Sequence, residues 1–370
     1  LFSILKMKKF FFIFSSTLVL FVVMNFFLAV FLTPINNFIT VNILNKPVYS
    51  ERALKLIGIN RSEERVFYNE TWNRKFRYVQ FVEHYEAETE NHKYVNVSKE
   101  NGRSMKNNYK CKKNFYFYGS SLTFGYNVVD SNTIPSYFKN ILDTNYSKLD
   151  YCVFNFGSAS YFSTQETILF ETQILNNKIK EGDFIFFIDG HAEEGNQGSR
   201  ISGVLRSIFS DGLNSRMLGR LNFSFIFLWN SLPTTKIYNA LRDTFKTPKK
   251  HMQGVSKTSK KEIKEVFQKN VLFREAICKN FKLNCFTFLQ PIPNVNVSYN
   301  FEKPKEQNPN QLDVGRQDLL RDTKYIFDIT NSLDNNKSLM FENNHYTPES
   351  NKAIAESIFD IVNKKIIKFH

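Results

Sequence analysis

The sequence predicts an α/β protein: a parallel sheet between layers of helices, preceded by one helix long enough to cross a membrane. Three observations predict it. From residue 114 onward, short apolar runs alternate with longer stretches of helical period. The runs are apolar at consecutive positions, the pattern of strands covered on both faces. Phe10 to Thr33 is a run of 24 residues without a charge, which at about 1.5 Å per residue covers a hydrocarbon core of about 30 Å.

Lys6, Lys8 and Lys9 stand just before the apolar run. This bias places residues 1–9 in the cytoplasm as a short tail, makes 10–33 the transmembrane anchor, and puts everything after Pro34 across the membrane. A cleaved signal peptide is the alternative. It usually has an apolar stretch of about 7–15 residues and a small-x-small cleavage site; here the stretch is longer and the site around Ala29 is poor, so a retained signal anchor is the preferred reading. Met7, followed by two lysines, is the more natural start than Leu1.

At 370 residues the chain holds one large domain or two modest ones, and 42% hydrophobic residues suffice for a core. A net charge of +14 would suit nucleic acid, but the lysines are scattered and form no compact basic motif. No nucleic-acid partner is therefore expected. An anionic glycan or membrane surface fits equally well, and compositional bias, visible in 39 phenylalanines, fits best. An exported domain can form disulfides. Cys278 and Cys285 flank a short helix-to-strand link and would close a small loop, while Cys111 and Cys152 open two strands that could be neighbours; four reduced buried thiols are the alternative. No C-x-x-C spacing occurs and the histidines do not cluster, so neither a metal nor another cofactor is expected.

Residues 34–105 are polar and mixed and read as a membrane-proximal segment with two strands; 106–370 read as the main domain. NFYFYG (114–119) is its first strand, TIPSYFKNIL (133–142) a helix with Pro135 in the first turn, and CVFNFG (152–157) a second strand. The stretch 163–182 reads as a helix with a Ser163/Glu166 capping box, a buried face of Ile168, Thr172, Leu175 and Ile179, and Gly182 as its stop. DFIFFIDG (183–190) is a third strand, and 199–256 an irregular helical insertion. Helix 259–280, strand 285–291, a further strand at 325–330 and a final helix at 347–366, with Ile354, Ile358, Ile361 and Val362 facing the core, complete the domain. Ligands of such sheets sit at the carboxyl ends of the strands, and Ser120 and Ser121 stand at one of them.

A serine becomes a nucleophile only when a base takes its proton and a third group orients that base. His345 lies in MFENNHYTPES just before the last helix, where Thr347 caps and Pro348 takes the first turn; Glu342 precedes it by three residues. Presented together, Glu342 would orient His345 and His345 would deprotonate Ser121. Taken alone, an E-x-x-H before a helix is most often a solvated loop. Asp189 and Glu193 could pass for the paired carboxylates of a glycosidase; a strand-end acid and a solvated loop acid are the plainer account.

Together these segments resemble the GDSL/SGNH hydrolase family. Its G-D-S-x-T-x-G block is matched by Gly119-Ser120-Ser121-Leu122-Thr123-Phe124-Gly125, its second block by Asn155-Phe156-Gly157 through Ser160, its G-x-N-D block by Gly190-His191-Ala192-Glu193, and its D-x-x-H block by Glu342-Asn343-Asn344-His345. The four stand in family order across residues 94–362, and Asn96–Arg103 and the helix at 163 are similar to exported bacterial members. The resemblance implies a three-layer α/β/α sandwich with a parallel, flavodoxin-like sheet. It implies Ser121 as nucleophile, His345 as base, Glu342 as its orienting acid, and the N–H groups of Ser121 and Ser160 as oxyanion donors. Ser120 replaces an aspartate, Ser160 a glycine and Glu342 an aspartate. Ala192 stands where the family has an asparagine side chain in the oxyanion hole, a donor worth roughly 100- to 1,000-fold in rate; His191 and Asn196 are the candidates to replace it.

The implied function is a membrane-anchored, extracytoplasmic (periplasmic) serine esterase or O-acyl transferase acting on acyl, chiefly acetyl, esters of a cell-envelope glycan or exopolysaccharide. The alternatives are a catalytically impaired glycan-binding or assembly module, and a structural membrane protein whose partner is a polytopic acyltransferase.

Overall fold

The computed structural model describes residues 2–38, 47–105, 107, 111–146, 150–190, 229, 232–235, 238, 260–291, 323–333, 340–341 and 345–367. The chain divides into two compact units: residues 1–47 with 201–256, and residues 48–200 with 257–370.

The first unit is built on α1 (Phe2–Phe38). Its stretch Met7–Leu28 has a mean hydropathy of 2.3 and is long and apolar enough to cross a membrane. Asn25 is the buried polar residue of this stretch, and its side-chain oxygen accepts from the Thr234 N–H and hydroxyl at 3.2 and 2.9 Å. Trp229 stacks on Phe21 with ring centroids 6.2 Å apart. Most of the 199–256 insertion lies outside the described residues.

The second unit holds a seven-stranded sheet. Its elements in chain order are α2 (Glu51–Ile57), α3 (Glu64–Trp72), β1 (Phe76–Val79), β2 (Glu83–Glu86), β3 (Val97–Ser98), β4 (Gly102–Arg103), β5 (Lys113–Gly119), α4 (Ser121–Phe124), α5 (Ile134–Asn145), β6 (Tyr151–Asn155), α6 (Ser163–Leu175), β7 (Phe184–Asp189), α7 (Lys260–Asn280), β8 (Asn284–Leu289), β9 (Ile326–Asp328), β10 (Met340–Phe341), β11 (His345–Tyr346) and α8 (Pro348–Ile367). The sheet runs β3-β4-β6-β5-β7-β8-β9, parallel throughout except for the β3–β4 pair at its edge. From β5 onward this is the flavodoxin-like order, with the topological switch between β5 and β7. β1 pairs with β2 as a separate antiparallel hairpin.

The strands are apolar on both faces because both are covered. Phe115, Phe117, Phe184, Phe186, Phe286 and Phe288 pack beneath α5 and α8, through Phe138, Leu142, Ile354, Ile358 and Val362. Tyr116, Tyr118, Ile185 and Phe187 pack on the other face with Phe170 of α6 and Cys278 of α7. Each such fully buried aromatic contributes about 1.5–3 kcal/mol. Residues 48–105, read from sequence as a membrane-proximal segment, supply α2, α3, the β1–β2 hairpin and the sheet's edge strands to this same unit.

Helix α6 departs from its expected form. Its N-cap is Phe162, without a side-chain cap bond, and it ends at Leu175. Glu166 does not close a capping box; it turns to Arg274 of α7 (3.3 Å), which also binds the Ser163 carbonyl (2.7 Å). The buried face is shifted to Leu169, Phe170, Gln173 and Ile174, while Leu175 is 74% exposed. Gly182, at φ +82°, serves the turn into β7. Ile361 is only partly buried, unlike Ile354, Ile358 and Val362. Two disulfides close, Cys111–Cys152 and Cys278–Cys285, with Cα separations of 5.5 and 6.1 Å.

Candidate active site

The strand β5 ends because the backbone must turn sharply with no room for a side chain. A Cβ at Gly119 would sit 2.0 Å from Thr123 Oγ1 and 3.1 Å from the Ile188 carbonyl. Ser120 is the N-cap of the one-turn helix α4, its hydroxyl facing the Leu122 N–H, and Gly125 at φ +90° ends it. Ser121 is thereby the first helical residue, partly exposed at the carboxyl edge of the sheet.

Two further groups fix this turn. Asn155, fully buried at the end of β6, donates to the Thr123 carbonyl at 3.0 Å and accepts from the Gly157 N–H at 3.0 Å. Arg103, also fully buried, donates to the carbonyls of Phe124 (2.6 Å), Gly125 (2.5 Å) and Val128 (2.6 Å) and pairs with Asp130 at 2.9 Å. These carbonyls stand at and beyond the end of the helix and have no helical partners left, so the planar guanidinium fork satisfies several at once. Burial pushes the Arg103 guanidinium below its usual range, with Asp130 opposing.

His345 reaches the site from β11, just before α8, whose start is capped by Thr347 accepting from the Ser350 N–H at 3.2 Å. Its Nε2 lies 3.1 Å from Ser121 Oγ. His345 is 8% exposed and its imidazole is bracketed by aromatics: Trp72 meets it edge-on (5.1 Å, 89°) and Tyr126 lies 5.8 Å away. Trp72 and Tyr49 both donate to the side-chain oxygen of Asn127, at 2.6 and 2.8 Å. Tyr126 donates to the buried Glu86 at 3.0 Å; burial, then the Glu86 charge, drives the Tyr126 hydroxyl far above its usual range, so it stays protonated.

Ser160 has φ +61°, the left-handed region that a glycine would enter freely. The structure thus brings Ser121 and His345 together and places Ser160 in the turn after β6. Glu342, His191, Ala192, Glu193 and Asn196 lie outside the described residues. Asp189 is no half of a glycosidase pair: it is buried against Arg274 at 2.6 Å, beside Glu166. Trp72, Tyr126, Glu86 and Arg103 are site neighbours without a sequence signal, since none is a catalytic residue of a motif and arginines are normally surface residues.

No protein-family model matches the sequence, and no curated protein matches it. Among solved structures the chain is similar to an α/β hydrolase from the metagenome of Lake Arreo, Spain (10% identity, TM-score 0.38, covering 68% of this chain and 95% of that one). It is also similar to an acetylxylan esterase from Geobacillus stearothermophilus (13%, TM-score 0.36, 68% and 94%). A third likeness is to a putative lipolytic protein of the G-D-S-L family from Desulfitobacterium hafniense (11%, TM-score 0.35, 68% and 99%). The α/β/α fold of the chain stands on its own strand order and two covered faces.

Proposed function

We propose that the protein is a serine esterase or O-acyl transferase, and the observation that carries this reading is the 3.1 Å approach of His345 Nε2 to Ser121 Oγ. That is hydrogen-bond distance between nucleophile and base, in a site walled by Trp72 and Tyr126. His345 takes the Ser121 proton as Oγ attacks an ester carbonyl. The Ser121 and Ser160 N–H groups hold the oxyanion. The imidazolium then gives its proton to the departing alcohol, leaving an acyl-serine. Water or a sugar hydroxyl, deprotonated by the same imidazole, accepts the acyl group and frees the serine. Glu342 is the group assigned to orient His345.

The apolar helix α1 and the two disulfides support a domain held outside the cytoplasm, with the N-terminus inside. An acetylated glycan of the cell envelope is the substrate class that fits such a position. A second reading, a glycan-binding or assembly module of the same fold without turnover, is favoured by Ala192 at the position of an oxyanion donor. The test is hydrolysis of small acyl esters by the full chain in detergent. Ser121→Ala is expected to fall to the background rate; a variant as fast as the parent protein would remove the esterase reading.

A further inference from the structure

The turn that carries Ser160 is held against its own local preference. Residues 158–161 close through the Tyr161 N–H to the Ser158 carbonyl at 3.3 Å, with Ser160 third at φ +61° and Ala159 not among the residues of positive φ. A positive φ at the third position alone is the mark of a type II turn, which favours glycine there. Type I and type II turns differ by a flip of the central peptide, here Ala159–Ser160. With a serine third, the left-handed crowding of Cβ favours the type I orientation.

Strand β2 supplies what opposes the flip. His84 Nε2 lies 2.9 Å from the Ala159 carbonyl oxygen, and Glu86 Oε1 accepts the Ala159 N–H at 3.2 Å. The two residues are two apart and so share a strand face. A carbonyl only accepts, so Nε2 carries the hydrogen. Both partners are themselves fixed. The His84 ring meets Phe76 and Tyr161 edge-on at 5.2 and 5.3 Å, and Glu86 pairs with Arg74 at 3.1 Å. The Ala159 carbonyl and the Ser160 N–H belong to one trans peptide and point in opposite directions. A donor fixed on that carbonyl therefore fixes the direction of the Ser160 N–H, and a flip would leave a buried imidazole without its acceptor.

We propose that His84 is a positioning residue: its bond to the Ala159 carbonyl locks the Ala159–Ser160 peptide so that the Ser160 N–H is aimed into the site as an oxyanion donor. This rests on the reading of Ser121 as the nucleophile, and it explains how a serine serves where a glycine would turn unaided.

The test combines labelling and structure on the full chain in detergent. His84→Ala is expected to slow fluorophosphonate labelling of Ser121 by roughly 100- to 1,000-fold, the range for one lost oxyanion donor. His84→Gln, which keeps a donor at the Nε2 position, restores the rate. In a Ser160→Gly background, where the turn needs no lock, His84→Ala costs less than about threefold, a coupling between neighbours that a general loss of folding would not produce. Crystal structures are expected to show Ser160 at negative φ in His84→Ala. The proposal is overturned by wild-type labelling in His84→Ala, by an equal cost in the Ser160→Gly background, or by Ser160 remaining at positive φ in His84→Ala. If the parent protein itself takes no label, the nucleophile reading falls, and the Ser160 backbone in His84→Ala still decides the lock.

Discussion

Replacing Arg274 by methionine tests how the site's third strand is held. The guanidinium donates to Asp189 at 2.6 Å, Glu166 at 3.3 Å, Thr167 at 2.7 Å and the Ser163 carbonyl at 2.7 Å, and lies 3.8 Å over the Phe187 ring. All three ionised side chains are essentially inaccessible, at 0–2% exposure. Methionine keeps much of the volume but leaves two carboxylates buried without their cation. Breaking a buried pair from one side costs about 3–5 kcal/mol. At about 2–4 °C per kcal/mol for a domain of this size, the melting temperature should fall by roughly 6–20 °C. Thermal unfolding followed by circular dichroism, full chain in detergent at neutral pH, reads this directly. Adding Asp189→Leu and Glu166→Leu should recover most of the loss, because an apolar replacement of the whole cluster removes the stranded charges. A single Arg274→Met variant that melts within about 3 °C of the parent would show that the cluster is not a buried ion pair, since that is the behaviour of an exposed one.

Other outcomes follow from the same structure. A Cβ on Gly157 would stand 2.3 Å from the Phe124 backbone nitrogen, so Gly157→Ala must displace α4; it should cost about 1–3 kcal/mol by overpacking and abolish Ser121 labelling. The Cys111–Cys152 bridge closes 41 residues and Cys278–Cys285 closes 7. Chain entropy values these at about 4 and about 2.4 kcal/mol, so serine replacement of the first pair should lower the melting temperature more than replacement of the second. For Glu64, burial pushes the carboxyl up, but the Tyr49 N–H and the Arg61 guanidinium outweigh it and hold it below the usual range. A depressed carboxyl stabilises above its unfolded pKa of about 4.3 and loses that contribution as pH falls through the lower folded value. Glu64→Gln should therefore destabilise at neutral pH, with the difference from the parent shrinking below about pH 4 in a pH series of melting temperatures.

What the sequence made legible and what it did not divide along physical lines. Runs such as FYFY and FIFF announce two-sided burial by themselves, and Thr347-Pro348 announces a helix start, so the strands and α8 fall where periodicity puts them. Ser121 and His345 are 224 residues apart and meet because both stand at the same sheet edge, which ordered motifs can suggest but spacing cannot. In helix α6 Glu166 has two competing roles; a capping box is local and visible in sequence, whereas Arg274 is brought by α7 and wins by burial. Residues 48–105 carry the weakest sequence signal. Their short strands and exposed Phe76, Tyr78 and Phe81 hide the fact that Trp72, His84, Glu86 and Arg103 turn inward to the nucleophile's neighbours.

Whether His345 activates Ser121 is read by fluorophosphonate labelling of the full chain in detergent, with the adduct located by mass spectrometry. One adduct is expected, on Ser121, and it is lost in His345→Ala. A folded protein that takes no label, or takes it equally well without His345, would contradict the claim that the 3.1 Å contact is an activated nucleophile with its base.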